Sequence, residues 1–300
     1  MEIALKVDVD THRGLEQGVP RIAGALEREG VTASFYIAMG PDNSGRAIMR
    51  VLRNRGFARK MVRTRAVSMY GLRTVLSGTL LPARPIALAL PRIVEGLAGA
   101  GFEVGVHGYD HVRWQDHIDD LGEPAIRAEL EDAFEAYRAI FRARATGFAA
   151  PGWRTNATAL KLLDQMGLSY HSDTRGTVPY RCVVGAATLA TPEIPTTLPT
   201  LDEVINRPGL GDTSSIVRFY GEQMRDDALN VHTIHAETEG MGQFDTFAAL
   251  VRALKDRGAV FVRMADVAAR LDSAALPRCE VIRTSLAGRA GWISAQGPLQ

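Results

Sequence analysis

Cysteine is nearly absent from this 300-residue chain, with only Cys182 and Cys279 present. That excludes a disulfide framework and a cysteine-based zinc site, so any metal must rest on histidine and carboxylate. No uninterrupted apolar run approaches the roughly 20 residues of a spanning helix. The most apolar stretch, 75–90, is broken by Pro82, Arg84 and Pro85, and no transmembrane helix is expected. No cleaved export signal is expected either, because the first strand pattern starts at the initiator methionine and leaves no room for a charged and an apolar signal region. Acidic residues are missing altogether between Asp42 and Glu95, where eleven basic ones stand. The net charge of +1 therefore conceals a strongly basic segment set against an acidic remainder. Its cations interleave with Ile48, Met49, Val51, Leu52, Phe57, Met61 and Val62. Such a segment suits a surface facing anionic lipid or phosphate, with Arg53, Arg59, Lys60 and Arg63 as candidate contacts. A solvated basic helix pair or a nucleic-acid patch would have the same composition.

What is present elsewhere is an alternation of strand and helix. Strand patterns at 2–9, 31–38, 102–106, 168–172, 230–235 and 259–263 alternate with helical patterns at 19–29, 91–100, 123–142, 155–166, 244–256 and 265–271. No linker divides them, which predicts one α/β barrel or open parallel sheet with its ligand at the C-terminal ends of the strands. A weak hairpin pattern surrounds Ala287-Gly288-Arg289. Asp8 and Asp10 close the first strand, His107 and His111 follow the 102–106 strand, and His235 ends the 230–235 strand. Carboxylates at i and i+2 on a strand share a face, so one can bind a metal while the other handles protons. Two imidazoles four apart plus one carboxylate leave coordination positions open, the donor set of a catalytic site. Asp10, His107 and His111 are thus the candidate ligands of one divalent ion: zinc, cobalt, nickel, manganese or iron all suit the set. His12, His117, His171 and His232 lack such support and are expected to be structural or in a surface loop.

These motifs resemble the polysaccharide deacetylase (NodB-homology) family. Asp8-Val9-Asp10 looks like its first motif, His107-x3-His111 its second, Gly147-Phe148-Ala149-Ala150-Pro151-Gly152-Trp153 its third, Tyr170-His171-Ser172-Asp173 its fourth, and Thr233-Ile234-His235 its last. Within it the chain resembles a branch of deformylases through Asp8-Val9-Asp10-Thr11-x-Arg13-Gly14, Gly40-Pro41-Asp42-Asn43, Ser172-Asp173-x-Arg175-Gly176, Ile194-Pro195-x-Thr197-Leu198-Pro199-Thr200 and Ile234-His235-Ala236-Glu237. The resemblance implies a distorted (β/α) barrel over residues 1–271, with the basic amphipathic insertion at 41–90 and an extension of unknown role at 272–300.

It also implies an activity: metal-dependent removal of formate from undecaprenyl-phosphate-linked 4-deoxy-4-formamido-L-arabinose. That reaction would take place at the cytoplasmic face of the bacterial inner membrane, for lipid A modification and polymyxin resistance. An anionic membrane surface is then the expected partner and nucleic acid is not. A deacetylase of peptidoglycan or another N-acetylated sugar is the alternative enzyme; an inactive lipid-phosphate-binding protein is a third reading. By resemblance Asp8 is the general base, and His235 the general acid for the departing amine. Two departures stand out. The family's third-motif arginine, which holds the base, is replaced by Ala149, so either Arg154 or Arg175 is expected to substitute or the base is oriented differently. The fourth-motif aspartate falls at His171, so Asp173 is expected to orient His235. Trp153 and Glu237 are candidate substrate contacts.

Overall fold

The computed structural model describes residues 1–46, 76–205, 207–286, 289 and 291–299. Most of the basic insertion, Arg53, Arg59, Lys60 and Arg63 among it, lies outside the described residues. The first strand, β1 (Glu2–Val9), is buried along nearly its whole length, because it has partners on both edges. β8 (Leu229–His235) runs parallel along one edge, while β2 (Ser34–Ile37) and β9 (Val260–Val262) share the other. Parallel sheets buried on both faces read as continuous apolar runs, which is why this strand is legible in the sequence.

Its two faces nevertheless differ. Ile3, Leu5, Val7 and Val9 pack into the main core, together with α1 (Val19–Glu29), α2 (Pro91–Gly99) and α4 (Glu123–Phe141). Ala4, Lys6 and Asp8 occupy the opposite face by the two-residue period, and Ala4 there meets Tyr36, Ala149, Tyr170 and Val231. The parallel strands β3 (Glu103–Val106), β4 (Gly147–Phe148) and β5 (Tyr170–His171) continue the sheet from β2. Glycine is required at position 105, where a Cβ would stand 2.7 Å from the Tyr36 ring.

Past β5 the order becomes irregular. β6 (Tyr180–Val184) and β7 (Ala187–Glu193) form an antiparallel hairpin, and β10 (Arg278–Thr284) and β11 (Ile293–Gln296) add a second one beside β6. The last pair brackets the expected 287–289 turn. The segment after β7 touches two distant strands: Ile194 donates to the His171 carbonyl of β5, and Thr197 donates to the Val231 carbonyl of β8. The stretch from β5 to β8 therefore bends round on itself as a distorted (β/α) barrel does. α5 (Ala157–Gln165) and α8 (Phe244–Asp256) match expected helices, whereas α6 (Leu201–Val204) and α7 (Thr213–Gln223) were not expected. Among the described residues no helix is long and apolar enough to cross a membrane.

Candidate active site

The parallel register sets the site. Asp8 pairs with Tyr36 on one neighbour and with His235 on the other, so two groups suited to moving protons stand side by side on adjacent strands about 5 Å apart. Asp10 lies just past the end of β1, and His107 just past β3. His111 is the first residue of α3 (His111–His117), whose N-cap Asp110 accepts from the Arg113 amide. The two histidines thus stand at the two ends of a strand-to-helix loop, His107 just past β3 and His111 in the first turn of α3. Their Nε2 atoms converge on Asp10 Oδ1 at 3.3 Å (His107) and 3.4 Å (His111), and one ligand atom from each of the three lies within 4.8 Å of the others.

The hydrogen bonding fits a cation at this point. His107 Nδ1 donates to the Ala149 carbonyl at 2.8 Å; a carbonyl only accepts, so the hydrogen sits on Nδ1 and Nε2 is free to coordinate. Asp10 Oδ1 and Asp8 Oδ1 are buried with no hydrogen-bond partner among the described residues. Orphaned carboxylate oxygens facing imidazole nitrogens are costly unless a cation lies between them. Burial would raise the Asp10 carboxyl, and only positive charge at the histidines, His111 first and then His107, holds it well below the usual range, a charge that a cation would supply where the rings are neutral ligands. Burial lowers His111, favouring the neutral ring that a metal ligand needs.

His235 is in the opposite state. Burial alone would lower it, but Asp202, then Asp10 and Asp8, raise it to about 9, so the ring is an imidazolium at neutral pH. The carboxylate at its Nδ1 is Asp202, 3.9 Å away, and its backbone amide donates to Glu239. Asp173 does not take that place. It sits with His171 and Glu193, at 3.1 Å from His171 Nδ1, and accepts from the Ala150 amide. Although His171, Asp173 and Glu193 have metal-type spacing, Glu193 is already engaged by the Asp173 and Thr174 amides and the Thr174 hydroxyl. The trio fastens the loop whose Ala149 carbonyl orients His107.

Three other expectations, those for Arg154, Arg175 and Trp153, are corrected by packing. Arg154 donates to the carbonyls of Gln115 and Trp292, and Arg175 to Glu203 and the Leu198 carbonyl, so among the described contacts both are turned to other partners than Asp8. Trp153 is only 1% exposed, with Arg175 and Arg289 over its ring at 5.1 and 4.4 Å, so it offers no open face to a sugar. It stands edge-on to His235 and donates to Thr196, held at φ 52°, a conformation rarely adopted by bulky residues. Glu237 accepts from the Asp10 and Thr11 amides and the Thr11 hydroxyl. Gly14 makes room for it, since a Cβ there would overlap the Glu237 carboxylate. Burial, then the charge of Asp10, raises Glu237 to about 8.

The remaining histidines have structural surroundings. His232 is buried against Tyr220, burial lowers it to about 3, and His117 is exposed beside Asp120. His12, expected in a surface loop, is instead buried and bonded to the Pro85 carbonyl. Sequence reading missed two residues at the site. One is Asp202. The other is Lys6, fully buried with its ammonium 3.7 Å from Asp8 Oδ2; charges at 6, 8 and 10 on one strand face were the available signal.

Comparison with known proteins gives a consistent picture. Residues 2–171 match the model of the polysaccharide deacetylase family. The probable 4-deoxy-4-formamido-L-arabinose-phosphoundecaprenol deformylase of Shewanella sediminis is 34% identical, over 99% of this chain and 95% of its own. Its counterpart in Wigglesworthia glossinidia brevipalpis is 31% identical, over 94% and 98%. Among solved structures, one from Mycobacterium smegmatis assigned to the polysaccharide deacetylases superimposes with a TM-score of 0.66 at 20% identity, covering 95% of this chain and 94% of that one.

Proposed function

The chain belongs to the polysaccharide deacetylase family, and from that premise we propose that it is the deformylase of undecaprenyl-phosphate-linked 4-deoxy-4-formamido-L-arabinose. It is a hydrolase acting on an amide. The observation that carries the reading is the full-length similarity to two deformylases, joined to a site in which a carboxylate and an imidazolium flank a metal-type triad. A divalent ion held by Asp10, His107 and His111 would supply Lewis acidity to water and to the formyl oxygen. Asp8, with one oxygen free of hydrogen-bond partners among the described residues, accepts a proton from the attacking water. The C–N bond then breaks as His235 gives its proton to the departing nitrogen. Formate and the 4-amino sugar lipid are the products.

The imidazolium role has a pH signature. With His235 raised to about 9, the acid form persists below that value and is lost as pH rises through it, so kcat should fall on the alkaline side. Burial opposes the charged ring and Asp202 is its largest electrostatic support, so Asp202→Asn should move the alkaline limb to lower pH. An unmoved limb in rate measurements from pH 6 to about 10 would remove Asp202 from the mechanism.

The basic insertion fits the lipid. We assign Arg53, Arg59, Lys60 and Arg63 to an anionic membrane surface at the cytoplasmic side of the inner membrane, each cation contributing on the order of 1 kcal/mol. Purified protein should release formate from the lipid-linked sugar, and absence of formate would overturn the assigned activity. Replacing those four residues by Ser should release it from anionic vesicles and raise KM for the lipid-linked substrate, leaving a soluble formamido-sugar analogue little affected. Equal loss on both substrates would mean that the segment builds the catalytic site.

A further inference from the structure

Lysine is almost never fully buried unless its charge is answered, yet Lys6 lies in the middle of β1 with no solvent exposure. It pairs in register with Ser34 of β2 and Thr233 of β8, so its strand is covered on both edges. The side chain shares a face with Asp8 by the two-residue period. Its ammonium donates to the Ser172 carbonyl at 3.1 Å and stands 3.7 Å from Asp8 Oδ2. The rings of Trp153 and Tyr36 lie 5.5 and 5.6 Å from it, enclosing the charge in aromatic surface. The Ser172 carbonyl gives it a fixed anchor, because Ser172 lies between His171 and Asp173 in the buried ion cluster.

The two oxygens of Asp8 are thereby made unequal. Oδ2 faces Lys6 at 3.7 Å and His107 Nε2 at 3.9 Å, whereas Oδ1 has no hydrogen-bond partner among the described residues. Packing does not explain a cation here, since a methionine would fill the same volume without desolvating a charge. We infer that Lys6 is the positioning residue of Asp8: it holds Oδ2 and turns Oδ1 toward the reacting water. The third-motif position where the resemblance implies an arginine is held by the buried Ala149, and it is Lys6 of β1 whose ammonium faces Asp8. The inference rests on the reading of Asp8 as the base.

The test is a mutant cycle on the metal-loaded enzyme with formate release as the readout. Lys6→Met and Lys6→Gln should keep stoichiometric metal and lower kcat about 10–100-fold, the usual cost of removing a group that orients a site residue. KM should stay near the wild-type value, because no substrate contact is lost. Lys6→Arg, which keeps the charge, should be faster than either neutral variant. In an Asp8→Asn background the Lys6→Met change should cost little more, since groups acting as a unit are non-additive. The inference is overturned if a folded, metal-loaded neutral variant keeps wild-type kcat, if Lys6→Arg is as slow as the neutral forms, or if Lys6→Met costs as much without Asp8 as with it. Normal turnover by Asp8→Asn itself would overturn the base assignment as well, which separates the two failures.

Discussion

His107→Ala should lose its metal and its turnover together. The ring is 1% exposed and rigidly held: its Nδ1 hydrogen is committed to the Ala149 carbonyl, and its backbone amide donates to Ile37 in the next strand. Nε2 is therefore oriented before any ion arrives, and a pre-oriented ligand contributes more to affinity than a mobile one. Removing it leaves one imidazole and one carboxylate, fewer than the three protein ligands of a catalytic site. The fold should survive, because His107 lies past the end of β3 and the strand's pairing to β2 is made by backbone groups. Elemental analysis of the purified variant, read beside formate release and circular dichroism, checks the result. A folded His107→Ala protein that retains stoichiometric metal would show the ligand assignment to be wrong. His111→Ala removes the other imidazole of the same set and should likewise lose metal and turnover, although that ring, at the start of a short helix and 12% exposed, is less tightly enclosed.

Much of this arrangement could be read from the sequence, for an identifiable reason. β1, β3 and β8 are buried parallel strands, so their apolar runs are continuous and their ends are marked by the polar residues that the runs deliver to the rim. That placed Asp8, Asp10, His107 and His235 correctly at one end of a sheet. What escaped were contacts with no local pattern. Asp202 reaches His235 from a four-residue helix that has no amphipathic period to reveal it. Asp173 was misassigned because sequence spacing gives the position of a motif and not the neighbour toward which it packs; the nearby imidazole proved to be His171. Trp153 was expected to contact the substrate and Arg175 to hold the base, and the C-terminal segment that packs on them carried no chemical signal. Arg289 of that segment ends up over Trp153 and within 3.4 Å of Glu203. Lys6 was hidden in a different way. A single cation within an apolar strand is ordinarily read as a strand end or a solvated edge, and only the two covered edges of β1 show that it has no route to water.

Asp8→Asn and His235→Ala should each keep the metal yet lose at least about 10²–10⁴-fold in kcat. Asparagine is nearly isosteric with Asp8 and preserves its packing beside Tyr36, but it cannot take a proton from water. His235→Ala leaves attack on the formyl carbon possible, while the nitrogen must depart without a proton. The two losses should therefore depend differently on the leaving group. A formamide of a weakly basic aromatic amine expels its nitrogen without much help from an acid, so it should recover a large part of the His235→Ala loss. The same substrate should recover little for Asp8→Asn, because deprotonation of water precedes departure of the amine. Comparing the two variants on a sugar formamide and an aromatic formamide, with metal content measured in parallel, separates the base from the acid. Equal recovery in both variants would mean that the roles are not divided in this way, and wild-type turnover in either would remove that residue from the chemistry.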